Sequence, residues 1–144
     1  MTENGISSGE MRLSASARRR LAIVLEDLLG EPADVAEEVA VFLGGYIQRV
    51  PIRAALGLRV VIWAIGWLPV LFVARPLPAH VLSPAVRARY LAAWAQSPFY
   101  LVREGFFLFK AIALMGWGSI DRVRRRLGVE PLLASESQAA RLRR

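Results

Sequence analysis

Apolar residues recur along this chain at the three- and four-residue spacing of an amphipathic helix, and no stretch shows the strict alternation of a half-buried strand. The spacing predicts a first helix from about Ser16 to Leu29, closed by Gly30 as its C-terminal cap. Asp34 and Glu37 form a D-x-x-E pair of the capping-box kind and predict a second helix through Ala40, Phe42, Leu43 and Ile47. Gly44-Gly45 in its middle costs about 1 kcal/mol per glycine relative to alanine, or lets another backbone come close. Pro51 opens a third segment, 54–74, and Arg75-Pro76-Leu77-Pro78 breaks the pattern after it. Two Ser-Pro pairs, Ser83-Pro84 and Ser97-Pro98, each predict a helix start, because Ser supplies a capping oxygen and Pro fits a first turn that needs no N–H. The first of these helices extends from Pro84 to Gln96, with Val86, Tyr90, Leu91 and Trp94 near one side and Arg87 and Arg89 away from it. The second runs from Pro98 to Trp117 and is apolar nearly all round. Arg103 and Lys110 fall on one narrow stripe with Glu104 beside it, a pattern expected to be enclosed by a partner or by lipid. A short basic helix, Ser119 to Leu127, stops at Gly128 and Pro131. These elements predict one all-α domain over 16–131: five to six helices in an irregular bundle, with an unusually apolar third helix and an aromatic-rich C-terminal pair. A disordered lead is expected over 1–15 and a flexible tail over 132–144.

The 54–74 segment carries no charge between Arg59 and Arg75, and as a helix it extends about 30 Å, near the hydrocarbon thickness of a bilayer. Against a simple span stand its length of fifteen uncharged residues, the helix-breaking Pro69, tryptophans Trp63 and Trp67 in the middle, and arginines at both ends. Three readings stay open at this point. The segment is a helix or hairpin buried against protein, a shallow membrane-associated element contacting lipid through Trp63, Trp67, Leu71 and Phe72, or a true span.

Composition sharpens this picture. At 144 residues with 55% hydrophobic side chains and a mean hydropathy of +0.38, the chain has more apolar surface than a compact bundle of this size usually buries. The net charge of +7 comes almost wholly from arginine, since Lys110 is the only lysine, and arginine favours bidentate pairing with carboxylate or phosphate. The runs Arg18-Arg19-Arg20 and Arg124-Arg125-Arg126 read as solvated faces or as contacts to an anionic membrane surface. Nucleic acid is not expected as a partner, because no recognition motif is present and no aromatic residues interleave the basic clusters. Absence of cysteine excludes disulfides, thiol catalysis and cysteine metal sites. His80 has no ligand set or nucleophile near it in sequence, and Glu26-Asp27 and Glu37-Glu38 each point about 100° apart on a helix, so no catalytic, cofactor or metal residues are expected. The five apolar residues after Arg20 end at Glu26 and are too few for a secretory signal; a cytoplasmic protein peripheral to the inner membrane is the expectation.

On spacing alone, Trp94, Phe106, Phe107 and Phe109 belong to a core. A second reading comes from the series Ser83-Pro84, Arg87, Leu91, Trp94, Ser97-Pro98, Arg103, Phe106, Phe107, Lys110, Val123 and Leu127-Gly128. This series, over about a third of the chain, resembles the small helical region that accompanies flavin oxidoreductases of the glucose/methanol/choline type, as in the small subunit of gluconate dehydrogenase. In similar proteins the last helix follows an aromatic and acidic turn and ends in Leu-Gly-Tyr, where this chain has Gly116-Trp117-Gly118-Ser119 and Leu127-Gly128-Val129. The resemblance implies a noncatalytic accessory subunit that stabilises or anchors a flavoprotein dehydrogenase, with FAD held by that partner only. It implies a partner interface at Arg87, Trp94, Arg103, Phe106, Phe107 and Lys110. An independent membrane-surface protein is the alternative.

Overall fold

The structure, a computed structural model, describes residues 13–129; most of the expected lead, the Pro131 stop and the expected tail lie outside the described residues. Helix α1 (Ala15–Leu29) starts where the Ser14 hydroxyl accepts the Ala17 N–H at 3.1 Å, and it ends at Gly30, whose φ of 66° is the left-handed conformation that a glycine adopts without strain. Three residues later α2 (Ala33–Arg49) begins and folds back on α1 to form a helical hairpin. Leu21, Leu25, Val35, Val39 and Leu43 are among the residues that fill the shared core.

The expected capping box does not form. Pro32 occupies the N-cap of α2, its carbonyl accepts the Val35 and Ala36 N–H groups, and the Asp34 carboxylate turns outward to Arg122. In the first turn of α2 that carboxylate still lies at the positive end of the helix dipole. Nor does Gly44-Gly45 admit a backbone, because α2 continues through both glycines and only side-chain atoms of Leu13 and Arg49 lie near them. The close approach is made by Gly116 instead, where an added Cβ would lie 2.6 Å from Cδ1 of Phe42. A side chain there would drive α2 and α6 apart.

The 54–74 segment is two helices, α3 (Ile52–Trp67) and α4 (Pro69–Val73). Pro69 has no N–H to give the carbonyl four residues back, which is that of Ile65. The Tyr90 hydroxyl donates to this carbonyl at 2.6 Å, so the break in the helix is satisfied from another element. Among the described residues no helix is long and apolar enough to cross a membrane, which removes the span reading of this segment. After a left-handed turn at Ala74 (φ 52°) and a 3₁₀ turn (Ala79–Val81), α5 (Pro84–Ala95) packs on α1, α4 and α6 (Tyr100–Ser119). Ser83 is the N-cap of α5, although its hydroxyl makes no capping bond. The second Ser-Pro pair does not open α6 directly: Phe99 is the N-cap, and the Ser97 hydroxyl accepts the Phe99 N–H at 3.3 Å in the turn before it. The short α7 (Asp121–Arg126), the last helix among the described residues, packs against α6 and ends near Gly128, which has a φ of 69°. The all-α class holds, with seven α-helices among the described residues where five to six were expected.

Candidate functional site: an apolar face with arginine flanks

Three of the six residues expected at a partner interface are buried. Trp94 is 3% exposed and Phe106 is 2% exposed; both belong to an aromatic cluster that joins α4, α5 and α6. Trp94 stacks on Phe72 with ring centroids 5.0 Å apart and meets Tyr90 edge-on at 6.2 Å, arrangements that favour aromatic pairs over simple apolar contact. Burial pushes the pKa of the Tyr90 phenol up. Arg87, expected away from the apolar side of α5, lies on it at 6% exposure, in register with Tyr90, Leu91 and Trp94. Its guanidinium pairs with Asp27 of α1 and donates to the Leu82 carbonyl at 3.1 Å, with the Ala79 and His80 carbonyls at 3.4 Å. These three side chains are enclosed within the molecule and join its helices.

Arg103 is half-buried, donates to the Ser97 carbonyl at 3.3 Å and lies over the Tyr100 ring, so it secures the α5 to α6 turn. Lys110 is half-buried on the same helix, and Phe107 is exposed. Of the four expected membrane contacts, Phe72 turns inward onto Trp94, whereas Trp63 (60%), Trp67 (49%) and Leu71 (73%) are exposed.

Those three exposed residues are part of a larger face that the sequence reading did not assemble. Leu56, Val60, Trp63 and Trp67 follow one another at helical spacing along the outer side of α3, and Val70 and Leu71 extend the row through α4. Beside them α6 approaches so closely that a Cβ on Gly105 would lie 3.1 Å from Cγ2 of Val61. Exposed Leu101, Leu108 and Met115 of α6, seven residues apart, add a second apolar row. From Val39 to Ile120 the chain has seven arginines and Lys110 against one acid, Glu104. Arg87 is paired with Asp27, and the stretch that supplies both apolar rows has seven more cations than acids.

The C-terminal arginines have a different use. Arg122 pairs with Asp34 at 2.6 Å and also with Glu38, while Arg126 pairs with Glu31, which additionally accepts the Trp117 indole N–H at 2.9 Å. The hydrogen bonds from Arg126 and Trp117 hold the Glu31 carboxyl below its ordinary range; those from Arg122 and the Val35 N–H do the same for Asp34. This clasp ties α7 to the start of α2 and commits two of the basic residues to the fold itself.

Between α1 and α3 lies a cavity of about 390 Å³, which Leu56, Val60, Trp63 and Trp67 of the apolar row also line. Leu21, Val24, Leu56, Ile65 and Trp63 give it apolar walls. Its polar lining consists of Arg20, Arg59 and His80, and the Arg20 guanidinium sits 5.9 Å from the Trp67 ring centroid. Burial, and then the charges of Arg20 and Arg87, lower the pKa of His80 and favour its neutral form. Among the described residues no group of His, Asp and Glu is placed to hold a metal ion. No known family model matches the chain, and neither a curated protein nor a solved structure shows significant similarity to it.

Proposed function

We propose that this chain is a noncatalytic membrane-surface protein that seats the outer sides of α3, α4 and α6 in the headgroup region of an anionic leaflet. The observation that carries this reading is the coincidence of the exposed row Leu56, Val60, Trp63, Trp67 and Leu71 with a half of the sequence that holds one acid among eight cations. An apolar helix face rich in tryptophan and leucine suits the boundary between headgroups and acyl chains, and flanking arginines reach lipid phosphates with their long stems. Each such cation near an anionic surface adds about 1 kcal/mol of attraction. The accessory-subunit reading, with FAD in a flavoprotein partner, asks for Trp94 and Phe106 as interface anchors, and both are enclosed in the core. The apolar row that the lipid reading uses is already exposed.

Sedimentation of the full chain with sized vesicles tests the proposal. The protein is expected to pellet with vesicles of phosphatidylcholine containing a third phosphatidylglycerol, to pellet less at high salt as the charge attraction is screened, and to stay largely in the supernatant with phosphatidylcholine alone. Equal partition onto neutral and anionic vesicles, or none onto either, would sink it.

A further inference from the structure

We infer that the cavity between α1 and α3 is a binding site for a single-chain amphiphile with an anionic head, the chain lying along Leu21, Val24, Leu56 and Ile65 and the head meeting Arg20 at the rim. This inference rests on the cavity and not on the membrane reading.

Size selects the ligand first. Pockets for small molecules span about 300–1,000 Å³, and a cavity of about 390 Å³ falls at the low end, suited to one alkyl chain and not to the paired chains of a whole phospholipid. The walls select next, because Leu21, Val24, Leu56, Ile65 and the face of Trp63 offer a chain apolar contact along its length. Charge then selects the head. Arg20 and Arg59 line the cavity, His80 is held toward its neutral form, and no acid is among the described lining residues. A carboxylate or phosphate monoester gains a charge-assisted hydrogen bond from an arginine fork, which an alcohol of the same chain length does not. Stacking on Trp67 holds the Arg20 guanidinium near the place where such a head would sit.

Gly66 supplies the means to test this. It lines the cavity from α3, and a Cβ built on it meets nothing within 4 Å, so a larger side chain there enters open space without a clash at its first carbon. Gly57, on the same helix and outside the cavity lining, also has nothing within 4 Å and serves as a matched control. Titration of the full chain with dodecanoate below its micelle concentration, read by calorimetry and by tryptophan fluorescence, should give saturable binding at one site per chain. Dodecyl phosphate should bind similarly, and dodecanol about tenfold more weakly for want of the charged hydrogen bond. Gly66→Leu should weaken dodecanoate binding about tenfold or more by occupying the chain's place, whereas Gly57→Leu should leave it unchanged. Arg20→Gln should bring the dodecanoate affinity down to that of dodecanol and leave dodecanol unaffected. Wild-type affinity in Gly66→Leu, or dodecanol binding as tightly as dodecanoate, would overturn the inference. Vesicle sedimentation of Gly66→Leu separates the two proposals: anionic-vesicle binding that persists after amphiphile binding is lost assigns the latter to the cavity, while vesicle binding absent in both proteins defeats the membrane reading and leaves the cavity site standing.

Discussion

Arg87 and Asp27 are separated by 60 positions in sequence, and their pairing decides how the basic residues of this chain are to be understood. Arg87 retains 7% of its side-chain exposure and Asp27 retains 22%, so the pair is largely withdrawn from water. In such a place the Coulomb gain and the desolvation cost nearly offset each other, but removal of one partner leaves the other charge uncompensated. Asp27→Ala is therefore expected to destabilise the fold by about 3 kcal/mol, at the low end for a broken buried pair because Arg87 keeps its bonds to backbone carbonyls. Urea unfolding measures this, and a loss below about 1 kcal/mol would mean that the pair behaves as an exposed one. The inward position of Arg87 was available from spacing, since 87, 90, 91 and 94 share one helical face, although the sequence reading set this arginine away from the apolar side. Its partner was not, because no local spacing points from α5 to a carboxylate near the end of α1. The same holds for Asp34: three residues before Glu37 it reads as a cap, yet the nearby Arg122 of α7 takes its carboxylate and Pro32 takes the cap position.

At the scale of elements, Gly30, Gly128 and Pro69 gave clear signals, whereas Gly44-Gly45 and Pro98 misled. Gly30 ends α1 and Gly128 follows α7, each in a left-handed conformation, and Pro69 divides the long apolar segment into α3 and α4. What the sequence could not show is how the break at Pro69 is supported. The freed Ile65 carbonyl is buried among apolar residues and accepts the hydroxyl of Tyr90, a fully buried side chain of α5. The aromatic ring and its polar tip thus have separate tasks: the ring packs on Phe72 and Trp94, and the tip replaces the bond that proline cannot make. Tyr90→Phe keeps the ring and removes only the tip. It is expected to cost about 1–3 kcal/mol, the penalty of an unsatisfied buried carbonyl, and to loosen α4 first. Chemical denaturation gives the cost, and amide hydrogen exchange along α4 gives its location. Uniform exchange changes across the molecule, with no bias to α4, would show that the hydroxyl does not support the break.

On the scale of the whole molecule, the chain separates its charges. Asp27 of α1, Glu31 between the helices, and Asp34 and Glu38 of α2 pair with Arg87, Arg126 and Arg122, and the stretch that supplies the two uncovered apolar rows holds one acid, Glu104, among eight cations. Composition alone revealed that apolar side chains exceed what a small bundle buries, but it could not say which ones remain outside; Trp94 and Phe106, expected at an interface, fill the core, and the outer sides of α3, α4 and α6 carry the excess. Acidic substitutions on that face distinguish a working surface from an incidental one. Val60 and Leu71 are both exposed, so Val60→Glu with Leu71→Glu should change stability by no more than about 0.5 kcal/mol for each site. On anionic vesicles the same pair loses apolar contact and adds two like charges worth about 1 kcal/mol each, a combined fall in partition of about tenfold or more. Val41→Glu, at an exposed position of α2 beside Glu37 and Glu38, adds acid outside the apolar rows and should leave vesicle partition close to that of the unmodified chain. If the double variant pelleted with anionic vesicles as the parent protein does while keeping its thermal midpoint, the face formed by α3 and α4 would not be the surface that meets lipid.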